Sequence, residues 1–168
     1  GFTASKLSTP ERIVVALEPD EGMVDPARPL VWVRGVAQDL PFHANVFDAA
    51  YATWAFFFDR MPATDQGLRE VERVVKPGGM FFVVDNAGED EFTALSASPA
   101  ASDPSWWRSR GFDACVIETS FRFDSVEEAN RLLCFYFGDH VMANRKLEIG
   151  YKVAVYSKRL SDAPSSPT

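Results

Sequence analysis

The stretch Gly67–Asn86, "GLREVERVVKPGGMFFVVDN", carries the pattern from which the fold is read. With Thr64, Asp65 and Gln66 before it, it sets Leu68, Val71, Val74 and Val75 on one helical face. Lys76-Pro77-Gly78-Gly79 then ends the helix. Pro77 presets φ for the first central position of a type II turn, and Gly78 tolerates the positive φ that the second requires. Met80–Asn86, "MFFVVDN", is apolar on successive residues, as a strand buried on both faces is. Helix, tight turn and buried strand together are the repeating unit of an α/β fold.

The same alternation extends in both directions. Upstream, "RIVVALEP" (12–19), "LVWVRG" (30–35) and "FDAAYATW" (47–54) read as strands. Between the first two, "EGMVDPARP" is a short helical turn or loop broken by Pro26 and Pro29. Downstream, Ala87–Ser105 is a connector poor in apolar residues, expected to be a lid or mobile loop. "FDACVIETSFRF" (112–123) is a strand with room for a bulge. Ser125–Arg145 reads as a helix, with Ser125 as N-cap and Glu128 three residues on, as in a capping box. "LEIGYKVAVYSKR" (147–159) is a long last strand, and 161–168, "SDAPSSPT", is expected to be disordered. The expected architecture is one α/β domain over residues 1–160: an open, mostly parallel sheet with an antiparallel strand near the C-terminus.

Composition narrows the function classes. The net charge of −7 argues against nucleic-acid binding, which needs a basic footprint. Cys115 and Cys134 lie in apolar stretches and read as buried free thiols rather than a disulfide or a metal site. There is no apolar run of about 18 residues to cross a membrane, and no secretory signal is visible, so a cytoplasmic setting is expected.

Four motifs in order resemble the class I S-adenosylmethionine-dependent methyltransferases, in particular the small-molecule type 11 group. They are Glu18 after a strand, Leu40-Pro41-Phe42, Phe47-Asp48 before a strand, and Lys76-Pro77-Gly78-Gly79. "WWRSRGFDACVIETSFRF" (106–123) and "GYKVAVYSKR" (150–159) resemble the family's last two strands and their approach. The resemblance implies a Rossmann-like sheet and S-adenosylmethionine as cofactor, with methyl transfer by direct displacement to a small-molecule acceptor. It implies that Glu18 holds the ribose hydroxyls, since ligands of open α/β sheets sit beyond the carboxyl ends of the strands and charged acceptors make the stronger hydrogen bonds. Ala37 and Gln38 would lie against the adenine, and Thr53 and Trp54 beside the methionine portion.

Three positions depart from the family pattern. Val36 stands where an acid often faces the adenine amino group, leaving Gln38 or Asp39 to take that role. Phe56-Phe57 stands where many relatives have a histidine pair, so no catalytic base is assigned; core packing is the simpler role for these rings. The glycine-rich loop is absent. Gly1 falls where its last glycine belongs, and Phe2–Leu7 resembles the helix that follows. The family's first strand, central in its sheet, is therefore expected to be missing from these residues. That would leave two rows of backbone groups unpaired or force the neighbouring strands together. Two alternatives stay open beside the transferase: a non-catalytic subunit working as a homodimer or with a partner, and a nicotinamide-dependent oxidoreductase. Of the other polar residues, His43 is expected to be exposed, Asp48 to organise the start of its strand, and the Asp139–His140 pair to be structural, because adjacent helical residues face apart.

Overall fold

A computed structural model describes residues 2–56, 61–95, 103–141 and 146–161, with the backbone alone at 61–63. Gly1, Phe57 and nearly all of the C-terminal tail lie outside the described residues, as does the middle of the connector. Among the described residues six strands form two sheets. In the smaller, β1 (Val15–Glu18) pairs in parallel with β2 (Val31–Arg34), Glu18 opposite Arg34. A single 3-10 turn, Glu21–Met23, follows β1, with the Asp20 side chain accepting from the Gly22 amide. Helix α1 (Phe2–Leu7) is fastened to this unit by Arg28, which stacks on Phe2 and donates to Ser5 Oγ.

The larger sheet has the order β3–β4–β6–β5. Strand β3 (Phe47–Thr53) runs parallel to β4 (Val75–Asn86). Strand β6 (Glu148–Arg159) is antiparallel to β4 and to β5 (Asp113–Arg122). Three strands thus run one way and β6 alone runs against them. The open α/β sheet with a late antiparallel strand is the expected one.

Helices α2 (Met61–Val74) and α3 (Pro104–Arg108) supply one core. Leu68, Val71 and Val74 pack with Phe81 and Val83 of β4, Ala154 and Tyr156 of β6, and Trp107 of α3. Trp107, fully buried, stacks on Tyr156 at 5.0 Å. A second cluster forms where α4 (Val126–Phe137) meets the far end of β6, from Leu133, Phe92, Ile149 and Tyr151. No helix among the described residues is long and apolar enough to cross a membrane.

Several local expectations need adjustment. Helix α2 begins at Met61, and Val75 starts β4 instead of closing the helix. Pro62 is tolerated because the first helical turn has no use for its missing N–H. Helix α4 stops at Gly138, whose φ of 89° side chains rarely adopt, so Asp139–Val141 is a separate 3-10 turn. Ser125 caps α4 as expected, but Glu128 returns its bond to the Asp124 amide, one residue before the cap. The β5–β6 register is continuous from Asp113 to Arg122, with no bulge. Both thiols are free, yet Cys115 is exposed and Cys134 only half-buried, because Cys115 lies on an edge strand. Asp48 points to solvent and pairs with Lys76 at 2.7 Å.

Lys-Pro-Gly-Gly, expected as a free turn between helix and strand, lies inside β4, where the β3–β4 register shifts between Phe47 and Ala49, and it is held at close quarters. Gly78 has φ 75°, and its amide donates to the Leu160 carbonyl. A Cβ at Gly79 would come within 2.7 Å of the Asp48 carbonyl oxygen and 2.8 Å of that of Lys76, so nothing but hydrogen fits there.

No ladder joins β1–β2 to the four-stranded sheet among the described residues. Among the described residues β3 pairs with β4 alone, and its Ala49 and Tyr51 are exposed.

Candidate functional site

Parallel strands place their carboxyl ends together, and the loops that follow them carry the candidate residues. Glu18 is the last residue of β1. Its Oε1 accepts from the Asp20 amide at 3.1 Å, which turns the chain sharply into the 3-10 turn. Its Oε2 makes no hydrogen bond among the described residues, and the side chain is neither buried nor fully exposed. Ala37 and Gln38 occupy a tight turn after β2, closed by the Asp39 amide donating to the Val36 carbonyl. Val36 is 43% exposed, leaving an apolar surface beside that turn.

This turn is fastened to α2. Gln66 donates to the Gln38 carbonyl at 2.9 Å, and Glu70 accepts from the Leu40 amide at 2.8 Å. Arg73 donates to the carbonyls of Leu40 and Phe42 and forms a two-point pair with Glu70. The Arg73 hydrogen bonds, then that from the Leu40 amide, hold the Glu70 carboxyl down at about 2. The Leu-Pro-Phe motif is thus a backbone loop clamped from below by two charged residues of one helix.

Thr53 closes β3, half-buried, opposite Val84. Among the proposed contact residues the structure therefore sets Glu18, Ala37, Gln38 and Thr53 on loops or strand ends, while Gly1 lies outside the described residues. Phe56 is buried in the core at 5% exposure, as packing alone would have it. His43 is exposed; His140 sits in the turn after α4, its Nε2 3.2 Å from the Leu95 carbonyl, also exposed.

Three features at the ends of β3 and β4 go beyond the sequence reading, which had placed Trp54 there but none of its partners. Trp54 follows Thr53 with φ 44°, and its indole N–H is directed at both Asn86 Oδ1 and the Tyr151 hydroxyl. The Tyr151 hydroxyl in turn donates to Asn86 Oδ1 at 2.7 Å, and burial pushes this phenol up to about 12. Asp85, 4% exposed, accepts from the Asn86 amide through Oδ1, while Oδ2 is buried with no hydrogen-bond partner. Burial pushes its carboxyl up to about 7. A cavity of 770 Å³ opens past β4, with Ala87, Gly88, Glu89, Asp90, Asp103 and Pro104 in its wall. The only signal in the sequence was position, at strand ends; the partners are 32 to 97 residues apart.

Residues 1–83 match the family described as a methyltransferase domain. Over 87 residues the chain is 40% identical to a demethylmenaquinone methyltransferase of Corynebacterium kroppenstedtii, covering 49% of this chain and 36% of that one. Over 56 residues it is 43% identical to the mitochondrial 2-methoxy-6-polyprenyl-1,4-benzoquinol methylase of Bos taurus, covering 33% of this chain and 16% of that one. The chain thus spans well under two thirds of the curated relatives it matches. In fold it is similar to a protein of Bacillus halodurans proposed to be a methyltransferase, with TM-score 0.61 and 18% identity, over 89% of this chain and 84% of that one. Residues 1–83 are thus similar to the methyltransferase domain family, and the chain shares the Rossmann-like α/β fold of its structural neighbours.

Proposed function

We propose that this chain takes part in methyl transfer from S-adenosylmethionine to a small-molecule acceptor. The observation that carries the reading is Glu18, an acid at a parallel strand's carboxyl end with one oxygen left for a ligand, inside the segment that matches the methyltransferase family. The chemistry of the donor set fits the cofactor's ribose and adenine. Glu18 would accept from the ribose hydroxyls, and the Ala37 amide and Gln38 would meet the adenine edge over the apolar surface of Val36. Gly1 and Thr53 would flank the methionine portion. When bound, the cofactor supplies a methyl group already activated by a positively charged sulfur. The residues of the chain then have to align the acceptor and exclude water, and no dedicated base is required.

The same reading treats residues 1–160 as one methyltransferase-like unit in a cytoplasmic setting. Calorimetry with S-adenosylmethionine and its demethylated product tests it. The wild-type chain should bind both, and Glu18→Ala should lose about tenfold or more in affinity, the scale of a charged hydrogen bond. No heat with the wild-type chain defeats the proposal; unaltered binding by Glu18→Ala removes that residue from the site. The β1 and β3 edges, unpaired among the described residues, favour a second reading, a non-catalytic subunit that pairs through them. That version predicts a stable dimer or complex indifferent to the cofactor.

A further inference from the structure

Strand β5 is an outer strand of the four-stranded sheet, and its edge lacks the devices that keep such edges apart. It runs ten residues without a proline, a lysine or a bulge. Cys115, Val116, Ile117, Glu118 and Thr119 are all exposed, so no described element covers its middle on either face. Val116 and Ile117 are 43% and 49% exposed. The direction of the backbone groups follows from the ladder. Just past β5 the Phe123 amide donates to the carbonyl of Leu147, the residue directly opposite in the same register. Antiparallel bonding alternates from one pair to the next. Phe121, Thr119, Ile117 and Cys115 therefore turn their N–H and C=O groups toward β6. Those of Ala114, Val116, Glu118 and Ser120 point outward, with no strand beside them among the described residues.

We propose that β5 pairs antiparallel with β5 of a second copy of this chain, about a two-fold axis at Ile117. The pairing is independent of the transferase reading. A two-fold axis across an antiparallel edge sets one residue opposite itself. With Ile117 there, residues 113–121 of the two copies overlap. Val116 then exchanges both backbone hydrogen bonds with Glu118 of the second copy, and Ala114 with its Ser120, which is the set of residues whose groups point outward. Ile117 meets its own copy at a non-hydrogen-bonded position, where side chains come closest, and Cys115 faces Thr119 of the second copy. Charge selects this register. An axis at Glu118 sets two carboxylates against each other, which is destabilising, and an axis at Val116 shortens the overlap. With the axis at Ile117, Glu118 lies opposite an apolar residue and beside Lys152 of its own β6, while Arg122 is held by Glu148 at 3.3 Å. The middle of this edge thus opposes no like charges, in a chain whose net charge of −7 resists self-association elsewhere.

Sedimentation equilibrium of the full chain tests the pairing, and the wild type should show twice the mass of one chain. Val116→Pro removes an outward N–H and leaves the β5–β6 bonds in place. Ile117→Lys sets two ammonium groups against each other at the axis. Each should weaken association about tenfold or more, with the far-ultraviolet circular dichroism of the wild type. Thr119→Cys reads the register directly. With oxidised glutathione it should form a disulfide to Cys115 of the second copy, since non-hydrogen-bonded pairs hold their Cα atoms about 4.5 Å apart. The same variant with Cys115→Ser should stay unlinked. A monomeric wild type overturns the proposal and leaves the edge to an extended segment of another protein. A dimer that survives both Val116→Pro and Ile117→Lys, or that Thr119→Cys does not link, is built on another surface and overturns it equally.

Discussion

Asp85 shows how one residue can couple stability to pH. Its carboxyl is buried at the end of an apolar strand, one oxygen without a partner, and no ion pair reaches it among the described residues. Its ionisable neighbours are the phenols of Tyr151 and Tyr156, both pushed up chiefly by burial and further by the Asp85 charge. The folded chain holds the Asp85 proton to about pH 7, whereas an ordinary carboxylate releases it near 3.8. Between those values the folded state binds more protons than the unfolded state. Stability therefore falls as pH rises from about 4 to about 7 and levels off above, by something on the order of a few kcal/mol. Glu70, held at about 2, acts in the opposite sense but below that window. Denaturation midpoints between pH 5 and 8 should drop for the wild-type chain, and Asp85→Asn should flatten the trend. An identical slope in both proteins would show that another group sets it. In the sequence this aspartate is an ordinary polar end to "MFFVV"; only the folded chain shows it buried at 4% exposure.

At the scale of elements, α2 does two jobs with two faces. Leu68, Val71 and Val74 bury it, and Glu70 with Arg73 grip the backbone of Leu40 and Phe42. The first face was legible from spacing alone. The second was not, because a Glu and an Arg at i and i+3 look like a solvated pair until the loop they bind is 30 residues away in sequence. If that grip sets the Ala37–Gln38 turn, Arg73→Met should weaken S-adenosylmethionine binding about threefold to tenfold without direct contact, and lower Tm by a few degrees. A calorimetric affinity equal to wild type, in a folded variant, would limit the clamp to stability. The helix boundaries were less legible: Gly138 was a visible stop inside a pattern that otherwise continued, and Pro62 hid a start.

At the scale of the molecule the division of the sheet among the described residues is the dominant feature. A two-stranded sheet is marginal by itself, and β1–β2 depends on the 36–42 loop and its hold on α2, whereas β4 and β6 each have two strand neighbours. Hydrogen exchange should therefore show two levels. Amides of β1–β2 should exchange roughly a hundredfold faster than those of Phe81, Val83 and Ala154. Uniform protection would mean the two sheets open as one unit, through contacts other than the loop.

Periodicity and motif order were enough to predict six strands, the major helices and the methyltransferase resemblance, because each depends on residues within a few positions of one another. The tertiary structure alone decided that the sheet divides, that Asp85 loses its solvent, and that Trp54, Asn86 and Tyr151 meet at one strand end. Those outcomes depend on register and packing between distant segments, which no local pattern encodes.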